Sequence, residues 1–184
     1  MLLITILLLI TMGCCQNQIK PNNIAFNTGY GRDTNLGDVS NISKNDDYNI
    51  STFSVELIKD YKEWSKSLEL SFIDHTYNYE DRKRLKHSNS FSVKIWAMRN
   101  FSLDYFDTFI GAGIGMGYTN PTKNNKYLSD SNITSDLGIR AGLQKTFKYF
   151  SIRVEYMFRH FSAIWKDDKG ENLDEVRVGL IFPF

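Results

Sequence analysis

The chain has 184 residues and a formal net charge of +1, one domain's worth, with no excess of positive charge to argue for nucleic acid. Its high aromatic content and only 3 prolines fit an all-strand protein. Cys14 and Cys15 are the only thiols, and no Cys/His spacing suggests a metal site.

In chain order the first element is an apolar run over residues 2–12. It is too short to span a bilayer as a helix and suits the core of a secretory signal, although no Lys or Arg precedes it. Thr11-Met12-Gly13-Cys14 loosely resembles a bacterial lipoprotein cleavage site, in which Cys14 would be lipidated. The alternative is an ordinary signal peptide cut before Ile19. Residues 1–18 are therefore expected to be a signal peptide, and residues 19–184 the exported domain.

Alternating runs follow. Ile24, Phe26, Thr28 and Tyr30 alternate with Ala25, Asn27, Gly29 and Gly31, and then comes a long polar connection over residues 32–49. The second strand sets Phe53, Val55 and Leu57 against Thr52, Ser54 and Glu56. After a short turn at residues 60–63, the third sets Leu68, Leu70 and Phe72 against Ser67, Glu69 and Ser71. A charged connection holding Asp81, Arg82, Lys83, Arg84 and Lys86 leads to the fourth, with Phe91, Val93 and Ile95 opposite Ser92, Lys94 and Trp96. In the fifth, Ile110, Ala112, Ile114 and Met116 alternate with four glycines, Gly111 to Gly117, which suits a crowded interior or a sharp bend. Another long polar loop, residues 119–131, precedes the sixth, with Leu137, Ile139, Ala141 and Leu143 opposite Gly138, Arg140, Gly142 and Gln144. A tight turn near Lys148 opens the last hairpin, residues 149–184.

Eight strands joined by connections that alternate long and short predict an up-and-down antiparallel barrel, with extended loops at one end and tight turns at the other. Alternation alone does not say which face is outward. The export signal, the even strand count and the terminal Phe184 after Phe182 choose the transmembrane version of the bacterial outer membrane. The polar face is then interior, holding Glu56, Glu69, Lys94, Arg140, Arg153, Glu155 and Arg177, charges of both signs that can pair in a narrow barrel. Tyr118, Phe147 and Phe150 fall where interfacial aromatic girdles belong.

The last hairpin carries the sharpest clue. Ile152, Val154, Tyr156 and Phe158 share one face, and His160 and Ser162 continue it. On the other strand Asp174 has the parity of Val176, Val178, Leu180, Phe182 and Phe184. Asp167, Asp168, Lys169, Gly170 and Asn172 read as the polar connection between them. A base, a nucleophile and an acid thus lie on one face of adjacent strands, the chemistry set of a serine hydrolase. The plainer reading is a rim where the apolar band has simply ended.

This hairpin resembles the C-terminal signature of the lipid A 3-O-deacylase family: His-x-Ser-Asn, a polar loop, and an acid at a fixed distance. His160-Phe161-Ser162 matches the first part and Asp174 falls where the family usually has Glu. The glycine-rich stretch and the strand before the hairpin are also similar to the family's. The resemblance implies an eight-stranded barrel with its catalytic residues on the lipid-facing outside. It also implies hydrolysis of the 3-hydroxyacyl ester at position 3 of lipid A in lipopolysaccharide, without metal or cofactor. It would make Ser162 the nucleophile, His160 the general base and acid, and Asp174 the residue orienting the imidazole.

Two departures stand out. Ala163 replaces the family's Asn, thought to support the oxyanion, a role that backbone N–H groups or Ser135 on the neighbouring strand would have to take over. Asp174 is one methylene shorter than Glu. The rival from another class is a non-catalytic surface barrel that binds through its loops. Other candidates are His75, with interior parity, His87 in the charged loop, and Asp74, outward but on a distant strand. The Arg82-Lys83-Arg84 cluster could meet lipid A phosphates or be a solvated loop.

Overall fold

The computed structural model describes residues 22–33, 47–79, 84–119, 133–163 and 171–184. These residues form β1 (Asn22–Asp33), β2 (Asp47–Tyr61), β3 (Trp64–Tyr79), β4 (Arg84–Ser102), β5 (Asp107–Thr119), β6 (Ile133–Thr146), β7 (Ser151–Ala163) and β8 (Glu171–Pro183). Each strand pairs antiparallel with the next, and β8 closes on β1, so every backbone edge is used. The seam ends with the Phe184 amide donating to the Asn22 carbonyl at 3.0 Å. The expected signal peptide and Cys14 lie outside the described residues.

The alternation resolves as expected, with the apolar face outward. On β7, Val154 and Tyr156 are exposed while Arg153, Glu155, Met157, Arg159 and Phe161 are buried. On β8, Val176, Val178 and Leu180 face out while Glu175 and Arg177 are buried. Apolar side chains facing out on every strand make sense only if the surrounding solvent is hydrocarbon.

Charge fills the lumen. Among the described residues, five carboxylates (Glu56, Glu69, Asp136, Glu155, Glu175) meet five cations (Lys94, Arg140, Arg153, Arg159, Arg177), all buried. Burying an isolated charge is prohibitive, so the balance matters more than any single pair. Glu56 binds both Arg140 and Arg153, and Glu69 holds Arg177 at 2.7 Å. Asp136 bridges Lys94 at 2.5 Å and Arg159 at 2.6 Å. Trp96 lies within this network: its Nε1 donates to Glu69 Oε2 at 2.7 Å, and the Arg140 guanidinium stacks 4.2 Å from its ring. Two apolar clusters close the ends. Ile50, Ile73, Phe161 and Leu173 cap the loop end, and Ala25, Ile58, Met98, Phe109 and Ile181 pack toward the turn end.

The glycine row on β5 faces this crowded interior. A Cβ on Gly113 would sit 2.5 Å from Trp96 Cε3, so the indole fits only because that position has no side chain. Turns close the opposite end of the barrel. Lys62, with φ of 42°, makes the β2–β3 turn, and the Leu103 and Phe147 amides donate to Phe106 and Phe150 carbonyls in the other two. Phe147 and Phe150 stack with centroids 5.1 Å apart in the girdle position expected of them.

Strands are longer than their apolar runs, because an antiparallel ladder satisfies backbone groups whatever the side chains and continues past the hydrocarbon into water. Arg32 therefore belongs to β1 and Asn172 to β8, not to connections. Arg84, Lys86 and His87, expected in a charged loop, lie on β4. The long connection expected between β3 and β4 shrinks to residues 80–83, the same length as the β4–β5 and β6–β7 connections at the other end. Asp81, Arg82 and Lys83 lie outside the described residues.

Candidate active site

The candidate site forms where β6, β7, β8 and β1 meet at the loop end of the barrel. Register fixes who faces whom: Ser135 stands opposite Ser162, Leu137 opposite His160, His160 opposite Asn172, and Asp174 between Phe158 and Arg32. All of these side chains have outward parity, and His160, Ser162, Asn172 and Asp174 are each half-buried. On the outer face, the stretch from Ile152 to Ser162 climbs about 25 Å, at ~3.3 Å per residue and a strand tilt of ~40°. That is the height of a whole apolar band, so His160 and Ser162 sit at its outer edge.

Interior packing holds this edge in place. Arg159 and Phe161, the neighbours of His160, both point inward, and the guanidinium lies 4.9 Å from the Phe161 ring. Arg159 also donates to Ser92 Oγ at 2.8 Å and to Asp136 Oδ2 at 2.6 Å. Asp136 is the neighbour of Ser135. One buried ion cluster, Lys94–Asp136–Arg159, thus anchors the backbone of both strands that carry the candidate nucleophile and its partners.

Three hydrogen bonds define the outer surface. Ser162 Oγ and Ser135 Oγ are 2.7 Å apart, and Ser135 Oγ also donates to the Ser162 carbonyl at 3.3 Å. His160 Nδ1 lies 2.7 Å from Asn172 Oδ1. Since that amide oxygen only accepts, Nδ1 is the donor of this bond, and in the neutral imidazole the lone pair then falls on Nε2, the form a general base needs.

The structure brings His160 and Ser162 onto one outward face, as the strand count suggested. It places Asp174 differently from the expected triad. The imidazole's Nδ1 partner is Asn172, while Asp174 lies beside Tyr156 on the same outer face and stands across from Arg32 on β1. The cause is register: Asp174 stands opposite Phe158, two residues before the histidine, and an aspartate is short for the diagonal reach to His160. Asn172, which its polar neighbours place in the loop, has the parity of Asp174, and that signal alone finds it. His75 is buried in the lumen with Nε2 2.8 Å from Ser90 Oγ, a structural position. Asp74 faces outward on β3, well away from β7. No group of His, Cys, Asp and Glu among the described residues could hold a metal ion.

A family model described as "Lipid A 3-O-deacylase (PagL)" matches residues 48–180. Among solved structures, Neisserial surface protein A superposes with a TM-score of 0.65 at 11% identity, over 91% of this chain and all of that one (100%). The outer membrane enzyme PagL superposes with a TM-score of 0.59 at 14% identity, over 87% of this chain and 99% of that one. At such identities the two structures establish a shared barrel. A DNA ligase of Mycoplasmopsis synoviae (strain 53) is 28% identical over 130 residues, 68% of this chain. The chain spans only 19% of that ligase's length, and the inward-pointing charges of the barrel give the likeness no chemical support.

Proposed function

Since the chain belongs to the lipid A 3-O-deacylase (PagL) family and to the bacterial outer membrane, we propose that it hydrolyses the 3-hydroxyacyl ester at position 3 of lipid A. The observation that carries this reading is the outward placement of Ser162 and His160 at the outer edge of the apolar band. A soluble substrate would be met in a lumen or a loop cleft. A lipid substrate already lies against this surface, with its ester linkages near the headgroup boundary.

In this mechanism His160 Nε2 takes the proton as Ser162 Oγ attacks the ester carbonyl carbon. The tetrahedral oxyanion collapses, the C–O bond to the sugar breaks, and the imidazolium returns its proton to the departing sugar hydroxyl. Water then attacks the acyl-serine with His160 as base, releasing the 3-hydroxy fatty acid and regenerating Ser162. In the resting structure Ser162 Oγ is held by Ser135, so attack requires rotation about its Cα–Cβ bond toward the imidazole. The Ser135 hydroxyl, turning from the Ser162 carbonyl to which it donates at rest, then supplies the oxyanion donor, the task left open by Ala163. Asp174 completes the residue set of the family pattern, on the same outward face in the next outward pair along from His160 and Asn172.

A non-catalytic surface barrel is the second reading, favoured by Ala163 and by the fold shared with Neisserial surface protein A. An alkyl fluorophosphonate presented in micelles separates the two. Labelling of Ser162 in the wild type, lost in His160→Asn, is expected of an activated serine. An unlabelled wild type would favour the non-catalytic barrel.

A further inference from the structure

We infer that Asn172, not the acidic residue of the hairpin, is the positioning residue for the His160 imidazole, so that the site works as a Ser–His–Asn set. The inference rests on the hydrolase reading for its catalytic consequence but on geometry for its substance. Asn172 stands directly opposite His160 on β8, and its Oδ1 meets Nδ1 at 2.7 Å. Its backbone neighbour Leu173 is buried in the apolar cap, which fixes the strand there and aims Asn172 outward. Asp174 is placed elsewhere. It stands between Phe158 on β7 and Arg32 on β1, with Tyr156 beside it.

An amide oxygen suits this task because it accepts and carries no net charge. It selects the Nδ1–H tautomer and leaves Nε2 to act as base, without burying a further carboxylate against lipid. The same role is filled by Asn in papain-like cysteine proteases, which shows that orientation does not require an acid. Among the described residues of the strands packed against it, the ionisable groups on the outer surface are Asp174, Tyr156 and, beyond them, Arg32, while Ser135, Leu137, Phe158 and Ser162 do not titrate at these pH values. On the lumen side Arg159 and Asp136 are paired with each other across the sheet.

The test reads the ring directly, whether or not the protein is an enzyme. The full chain is refolded in micelles with 15N-labelled histidine, and the resonances of His160 are identified by their loss in His160→Asn, since only 3 histidines are present. The Nδ1–H tautomer is expected in the wild type. It should persist in Asp174→Asn and Asn172→Asp and collapse toward the Nε2–H form in Asn172→Leu. Kinetics on lipopolysaccharide should follow: Asn172→Leu lowers kcat by up to about 10⁴-fold, the cost of a wrong tautomer in a serine hydrolase, with KM little changed. Asn172→Asp should retain turnover, since it restores an acceptor at the same atom. A tautomer that survives Asn172→Leu and is lost in Asp174→Asn would overturn the assignment. The expected tautomer pattern in a protein without turnover would uphold the positioning role and instead reject the hydrolase reading.

Discussion

A serine hydroxyl becomes a useful nucleophile only when a base can take its proton, and the developing oxyanion then needs a donor. Ser162 has His160 two residues away on its own strand and Ser135 across the ladder, the hydroxyl oxygens 2.7 Å apart. Ser135→Ala should therefore lower kcat by about 10²–10³, the usual cost of one oxyanion donor, and leave KM little changed. Ala163→Asn should restore much of that loss, since it brings back the family's amide. Steady-state kinetics on the two single variants and the double variant would check this. Equal rates in Ser135→Ala and wild type would remove Ser135 from the chemistry. At this scale parity was the legible signal: it put His160, Ser162 and Asp174 on the outer face. It could not show which polar group meets the imidazole, because that depends on register across β7 and β8, which parity does not fix.

At the scale of single strands, the interior decides stability. Gly113 lies against Trp96, and Gly113→Val would force a side chain into a space already filled by the indole. A cost of about 1–3 kcal/mol is expected, read as a lower urea midpoint in micelles at unchanged m, while Ala112→Val on the outward face should be close to neutral. Ion pairs divide the same way. Arg159→Met takes one of two cations from buried Asp136 and should cost about 3–5 kcal/mol, with turnover falling because both site strands lose their anchor. Arg99→Met breaks an exposed pair with Glu63, 3.2 Å apart with side chains 48% and 69% exposed, and should cost ~0–1 kcal/mol. Comparable destabilisation by both would mean that the interior network is not what holds the barrel. The glycine row and the interior charges could be read from the sequence. The strand ends could not, because Arg32 and Arg84 look like loop residues once the apolar partners stop.

The whole molecule is a barrel turned inside out relative to a soluble one, with ions in the lumen and hydrocarbon-facing residues outside. Its lumen is packed by ten paired charges and by apolar clusters at both ends, so planar bilayers containing it should show no ion conductance. Stable single-channel steps would contradict that packing. Topology was the most legible level of all, since eight alternating runs admit few other closures, even though the expected sorting of loop lengths fails between β3 and β4. The proposed function rests on residues that break the outward apolar pattern at one rim. The decisive measurement is mass spectrometry of lipid A after lipopolysaccharide is incubated with the refolded protein. Loss of one 3-hydroxyacyl chain with the wild type, and no loss with a Ser162→Ala variant of unchanged urea midpoint, is the expected result. Unaltered lipid A with the wild type, or the same mass loss with Ser162→Ala, would contradict the account.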